Sequence, residues 1–192
     1  PYMAFEKDFM RFMLSDGAGA VLVQDHPEGI CSLKIEWVDM TSYANELPTC
    51  MFMASELQEN GRLKSWKEFS PDEIKERAVL VGKQDIRQLK KYIIKYWVDH
   101  IETVLAKHHV KADEIDYIIP HVSSMFFYEK LNDEIAARNI ALTKEKWFTN
   151  LTSVGNIGSA AIYVGLEELI RTKDIKQGDK ILLLVPESGR FS

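Results

Sequence analysis

The groups in this chain that could do chemistry separate quickly by type and spacing. His100 and His108 stand eight residues apart on one predicted helix, near the same face but two turns distant. That is too far to share a metal ion without outside ligands. Cys31 falls on a predicted strand and Cys50 in an irregular stretch, and a small buried thiol is the ordinary fate of either. The run DGAGAV (16–21) has glycines, but their spacing fits neither a dinucleotide fingerprint nor a phosphate loop. Two residues stand out from these. His121 follows directly on the apolar run Tyr117-Ile118-Ile119-Pro120, at the carboxyl edge of a strand, where α/β proteins often place functional groups. Asn156 lies between Gly155 and Ile157-Gly158 in the segment NLTSVGNIGS (150–159), whose glycines point to tight packing or unusual backbone angles. By residue type alone, His121 serves equally well as a core histidine and Asn156 as a turn residue.

The elements around them follow from hydrophobic periodicity. Residues 16–24 read as a small-residue turn feeding a short apolar strand, and 30–38 alternate around Leu33, Ile35 and Trp37 as a strand with one buried face. Residues 41–70 give no clear pattern and are expected to form an irregular excursion. Ser70-Pro71-Asp72-Glu73 is a helix start: Ser caps, Pro takes the first position and Glu73 can close a capping box. A long helix is expected over about 85–108, with Ile86, Leu89, Ile93, Trp97, Ile101, Val104 and Leu105 on one stripe. A strand over 116–120 ends at Pro120, which cannot extend a ladder. Helices over about 124–138 and 160–171 follow, and 180–185 read as an apolar strand buried on both faces. Alternating strands and helices imply an α/β layered fold.

Composition narrows the classes. A chain of 192 residues, 46% hydrophobic and 28% charged, can build one good core. A net charge of -5 argues against a nucleic-acid module, though a local basic patch could still receive an acidic carrier protein. Two cysteines make no disulfide framework, no stretch reaches the roughly 18 apolar residues of a membrane span, and no signal peptide is visible. A cytoplasmic protein is the expectation.

Four motifs occur in one order: DGAGAV (16–21), IPHVSS (119–124), SVGNIGSA (153–160) and KQGDKILLL (176–184). In this the chain resembles the second half of ketoacyl-ACP synthase III enzymes, which are similar in their GDGAGA turn, I-P-H strand end, G-N loop and G-D turn before the last core strands. The resemblance implies a thiolase-like layered α/β fold, with residues 1–192 forming its C-terminal region. It implies a Cys-His-Asn site in which His121 is the catalytic histidine and Asn156 the catalytic asparagine. In such enzymes a cysteine takes an acyl group from a thioester, a malonyl thioester loses carbon dioxide, and the enolate attacks the acyl-enzyme. An imidazole N–H and a carboxamide N–H are the preorganised donors that a developing enolate oxygen needs. The stretch Ser188-Gly189-Arg190 resembles the family's glycine-rich turn, so the Gly189 amide is expected to help form an oxyanion hole.

The departures are specific. The family's cysteine lies upstream of the DGAGA turn, whereas Cys31 and Cys50 both lie downstream, so neither fits as nucleophile. With Pro1 and Arg190-Phe191-Ser192 at its ends, the chain reads as a piece lacking an N-terminal half, unable to turn over alone. Where the family commonly places an asparagine and an arginine on the pantetheine arm and carrier protein, this chain has Ser124 and Phe126. The ending Pro186-Glu187-Ser188-Gly189-Arg190-Phe191 looks more like relatives serving dialkylresorcinol or aryl polyene lipids. The implied partners are an acyl carrier protein or coenzyme A thioester, with no cofactor, no metal and a homodimer for the full-length enzyme. A plain acyltransferase of the same fold, or a non-catalytic partner subunit, stands as the alternative.

Overall fold

The computed structural model describes residues 12–29 and 31–191. They fall into two compact units: residue 12 with 41–96 and 186–191 in the first, and 13–40 with 97–185 in the second.

In the first unit, residues 41–70 are more regular than their composition predicted. Short strands β1 (Met51–Phe52), β2 (Ser55–Leu57) and β3 (Leu63–Ser65) form there, β2 and β3 pairing antiparallel from Ser55↔Ser65 to Leu57↔Leu63 around the Asn60-Gly61 turn. Strands of two and three residues are too short to leave an alternating signature. Helix α1 (Pro71–Glu76) begins as expected. The Ser70 hydroxyl accepts from the Glu73 N–H and the Glu73 carboxylate accepts from the Ser70 N–H, so each satisfies a backbone donor that the first turn leaves free. Strand β4 (Lys83–Gln84) pairs with β1. Helix α2 (Ile86–Lys107) starts where Asp85 Oδ1 accepts from the Arg87 and Gln88 amides, and it runs on into the second unit.

The second unit is built on a parallel pair, β5 (Tyr117–Pro120) and β6 (Ile181–Leu184), in register from Tyr117↔Ile181 to Pro120↔Leu184. Between them come α3 (Met125–Ala137), the four-residue α4 (Leu151–Val154) and α5 (Ala161–Thr172). A parallel pair requires such a crossover. Ile119 packs with Ile162 and Leu169 of α5, flanked by Tyr117, Phe148, Leu166 and Ile181. Gly165 permits this approach: a Cβ there would lie 3.2 Å from Ile119 Cγ2. Arg138, at the end of α3, bridges to Asp99 at 2.6 Å and Glu102 at 2.8 Å on α2, tying the two helices together.

Two strand expectations need correction. Residues 16–24 and 31–38 join no ladder; the sole bridge nearby among the described residues pairs Leu14 with Asn156. The β-branched residues that predicted strands there, such as Val21 and Ile35, stay exposed, because strand propensity needs a neighbouring edge to act on. Strand β6 is not buried on both faces either. Leu182 and Leu184 are buried but Leu183 is 41% exposed, so among the described residues one face of β6 is left without a full cover.

Candidate active site

His121 is positioned by the end of the parallel pair. Its N–H donates to Leu184 O at 2.8 Å, carrying the β5–β6 register one residue past Pro120 and placing the half-buried side chain at the strands' carboxyl ends. On the other side of β5, Phe148 N–H donates to Ile118 O at 2.8 Å, which draws residues 147–150 alongside.

Asn156 is positioned by the loop between α4 and α5, and this loop is held from both sides. Its carbonyl accepts from Ser15 N–H at 2.8 Å. Its side-chain Oδ1 accepts from Gly158 N–H at 3.1 Å, which leaves Nδ2 as the remaining side-chain donor. Asn150, at the head of α4, donates through Nδ2 to Glu168 Oε2 on α5 at 2.8 Å, closing the loop's two shoulders. The side chain of Asn156 is only 5% exposed.

The glycines of DGAGAV find their purpose here. A Cβ at Gly17 would lie 2.7 Å from the Ile157 side chain, and one at Gly19 would lie 2.7 Å from Tyr163 Cβ. The run is a small-residue strap that passes close over the asparagine loop and the start of α5. Gly155 completes this packing: its φ of 83° is open to glycine, and a Cβ there would fall on Ser15 Oγ. Sequence reasoning found the glycines but missed Ser15, Asn150 and Glu168, which carry no motif of their own.

His121 and Asn156 line one open cleft, together with Ile119, Val122, Thr149 and Asn150. Burial pushes the His121 imidazole below its ordinary pKa of 6.5, because a charged ring loses hydration there. His121 is therefore neutral at pH 7, a donor through one nitrogen. The sign follows from linkage. Unfolded, the ring takes its proton near 6.5, so the stability from keeping it neutral is full above 6.5 and declines as pH falls from there toward the folded value. A proton NMR titration of the His121 ring is expected to give a midpoint below 6.5; a value at or above 6.5 would contradict the buried, neutral ring.

Other predicted groups fall elsewhere. Ser124 begins α3 with its carbonyl accepting from Phe127 and Tyr128 N–H, and Phe126 is an exposed ring stacked edge-on against Phe127; neither lines the cleft. Gly189 belongs to the first unit, where its N–H donates to Glu187 Oε1 and the adjacent Arg190 N–H donates to Glu187 Oε2. That amide serves its own turn as long as Glu187 holds it. Cys50 is fully buried, its thiol donating to Asp85 O and pushed up to about 12 by burial and the Asp85 charge, so it is no nucleophile. Cys31 is exposed and does not line the cleft. Among the described residues no group of three His, Cys, Asp or Glu side chains is gathered to hold a metal ion, and no helix is long and apolar enough to cross a membrane.

Residues 105–189, which contain both cleft residues, match the family described as 3-oxoacyl-[acyl-carrier-protein (ACP)] synthase III C terminal. Over these residues the chain is similar to the synthase III family. The chain is 27% identical over 172 residues to beta-ketoacyl-[acyl-carrier-protein] synthase III of Clostridium perfringens, covering 90% of this chain and 48% of that relative. It thus spans about half the length of the curated relatives it matches over most of its own length. Its fold is similar to the crystal structure of 3-oxoacyl-(acyl carrier protein) synthase III from Pseudomonas aeruginosa PAO1, at TM-score 0.56 and 16% identity, covering 79% of this chain and 41% of that one. A tetronic acid condensing enzyme is similar at TM-score 0.58 and 14% identity, over 79% of this chain and 40% of that one. These two neighbours are named for different reactions on a similar fold, so the fold by itself leaves the substrate open.

Proposed function

We propose that this chain supplies the decarboxylating half of a condensing site in fatty acid or related acyl-chain synthesis, with His121 and Asn156 as the two catalytic donors. The observation that carries the reading is the one cleft lined by both residues, one with its imidazole kept neutral by burial and the other with its Oδ1 engaged by Gly158 N–H, so that Nδ2 is its remaining donor. A malonyl thioester docked there places its carbonyl oxygen between them. Loss of carbon dioxide leaves the electron pair of the broken C–C bond on the α-carbon, delocalised onto that oxygen, and two N–H donors stabilise the charge as it forms. A neutral imidazole suits this role, since a full positive charge in a half-buried cleft would cost hydration.

In condensation the enolate carbon then attacks the carbonyl of an acyl group held as a thioester on a cysteine, and the thiolate leaves. Neither Cys31 nor Cys50 has the surroundings of that nucleophile, so the acylated cysteine comes from outside these residues. Without it, the enolate takes a proton from water and the product is an acetyl thioester. The carrier is an acyl carrier protein or coenzyme A, with Ser124 and Phe126 beside the start of α3 as contacts for its pantetheine arm.

Malonyl-CoA incubated with this chain tests the reading. Without the cysteine no condensation is completed and the chain stays inactive as a synthase, so the expected result is the half-reaction alone: carbon dioxide and acetyl-CoA released above the buffer rate, with no 3-oxoacyl product. Release no faster than in buffer would remove it.

A further inference from the structure

Asn150 stands directly before α4, the place where an asparagine side chain ordinarily accepts from a helix's first free N–H groups. Here it makes no such bond. Thr149 Oγ1 takes the Leu151 N–H at 3.3 Å, and the Asn150 carboxamide turns to α5, donating through Nδ2 to Glu168 Oε2 at 2.8 Å. A carboxylate only accepts, so it fixes which end of the carboxamide faces it. Glu168 is committed in the same way. Its neighbour Glu167 pairs with Arg171 at 3.3 Å, the common i,i+4 arrangement of a helix surface, while Glu168 reaches across to the loop. Both partners are half-buried, where a charge-assisted hydrogen bond is stronger than at a solvated surface.

This bond lies on the path that sets the separation of His121 and Asn156. His121 follows β5, and β5 packs on α5 through Ile119, Ile162 and Leu169. Leu169 is adjacent to Glu168, so the carboxylate is carried by the same turn of α5. On the loop side, the Asn150 carbonyl accepts from Ser153 and Val154 N–H at 3.0 and 2.9 Å, and Leu151 O accepts from Gly155 N–H at 2.9 Å. These bonds make α4 a short arm from Asn150 to Gly155, the residue before Asn156. Glu168 thus fastens the asparagine arm to the helix against which the histidine strand rests.

We propose that Glu168, acting through Asn150, is a positioning residue for the Asn156 carboxamide. This role rests on the reading of His121 and Asn156 as paired donors. It bears on the chemical step more than on binding, since a misplacement of about 1 Å at a reacting group can cost on the order of 10²-fold in rate.

Substitutions in the whole chain test it, read by malonyl-CoA turnover and by ¹⁵N NMR. Glu168→Ala and Asn150→Ala should each lower kcat for carbon dioxide release roughly tenfold, with KM within about twofold of native. Glu168→Gln keeps an acceptor and should retain most of the rate. Asn150→Asp sets carboxylate against carboxylate and should lose at least as much as Asn150→Ala. Adding Glu168→Gln to it exchanges donor and acceptor and should restore activity. In an Asn156→Asp background, Glu168→Ala should lower the rate less than about twofold further while its cost in Tm persists, because it reaches the rate only through Asn156. A change in KM without one in kcat, a further loss of roughly tenfold in that background, or no recovery in the paired variant would each overturn the proposal. The NMR reading stands apart from turnover. Glu168→Ala should shift the Asn156 side-chain amide and speed hydrogen exchange at Gly158, whose N–H the Asn156 carboxamide holds. If those signals respond but the native chain releases no carbon dioxide, the condensing-site reading falls and the positioning stands. Unchanged signals overturn the positioning whatever the rate.

Discussion

Asn156→Asp is expected to lower carbon dioxide release from malonyl-CoA by about 10²–10³-fold while leaving the fold in place, the range typical for one lost oxyanion donor, about 3–4 kcal/mol. The substitution is nearly isosteric. A carboxylate oxygen can still accept from Gly158 N–H, as Asn156 Oδ1 does at 3.1 Å, so the loop keeps its lock. What disappears is the side-chain N–H₂ group, replaced by an oxygen whose charge repels a forming enolate. His121→Ala removes the second donor and should cost a similar factor, whereas His121→Gln keeps an N–H and should retain more of the rate. Because both donors address one oxygen, the double variant should fall little below the weaker single one, as groups that act as a unit do. Two independent multiplicative losses would mean that the side chains serve different steps. Radiometric carbon dioxide release, with circular dichroism on each variant, reads all of these.

Gly155→Ala should be among the most destabilising single-methyl changes in the second unit. The backbone at Gly155 has φ 83° and ψ -177°, a region open almost only to glycine. The new Cβ would also land on Ser15 Oγ. Strain of this kind costs about 1–3 kcal/mol, and overlap in a packed site about 1–3 kcal/mol more. A loss of at least about 2 kcal/mol lowers the Tm of a chain this size by roughly 5 °C or more. Two companions separate the causes. Gly158→Ala meets nothing within 4 Å and bears only its φ of 60°, so it should cost distinctly less. Adding Ser15→Gly to Gly155→Ala should return the overlap part and leave the backbone part. Differential scanning calorimetry distinguishes the three. The consequence for function runs through the same contact, since Ser15 N–H holds the Asn156 carbonyl.

The parts of the fold legible in the sequence are those whose signal is local. The helix opened by Ser70-Pro71 and those expected over about 85–108 and 124–138 each begin within one residue of the expected start. The strand ending at Pro120 and the apolar run before Val185 are likewise where periodicity put them. Pairing is not local. Nothing in 16–24 or 31–38 says whether a ladder neighbour is at hand, so their β-branched residues predicted strands that do not form. Leu183 was counted as buried for the same reason: apolar character reports what a side chain prefers, not which face finds a cover. The site divides the same way. His121 and Asn156 stood out by their places at a strand end and in a glycine loop, but their meeting in one cleft depends on contacts far apart in the chain. These are Ser15 to Asn156, Phe148 to Ile118 and Asn150 to Glu168. No motif marks those partners, because a backbone amide or a single carboxylate can do the work in many sequence contexts. The strap over the loop was visible only as small residues, and its meaning came from what a Cβ would strike.

The most direct measurement follows the two side chains together. The chain, labelled with ¹⁵N at histidine and asparagine, is titrated with a ketone analogue of malonyl-CoA in which a methylene replaces the sulfur. The His121 ring and the Asn156 side-chain amide should both shift, saturate at one common Kd, and report a single carbonyl oxygen taken up between them. Movement of only one of the two signals, or two different saturation points, would mean that imidazole and carboxamide do not share an oxygen, and the catalytic reading of this cleft would fall.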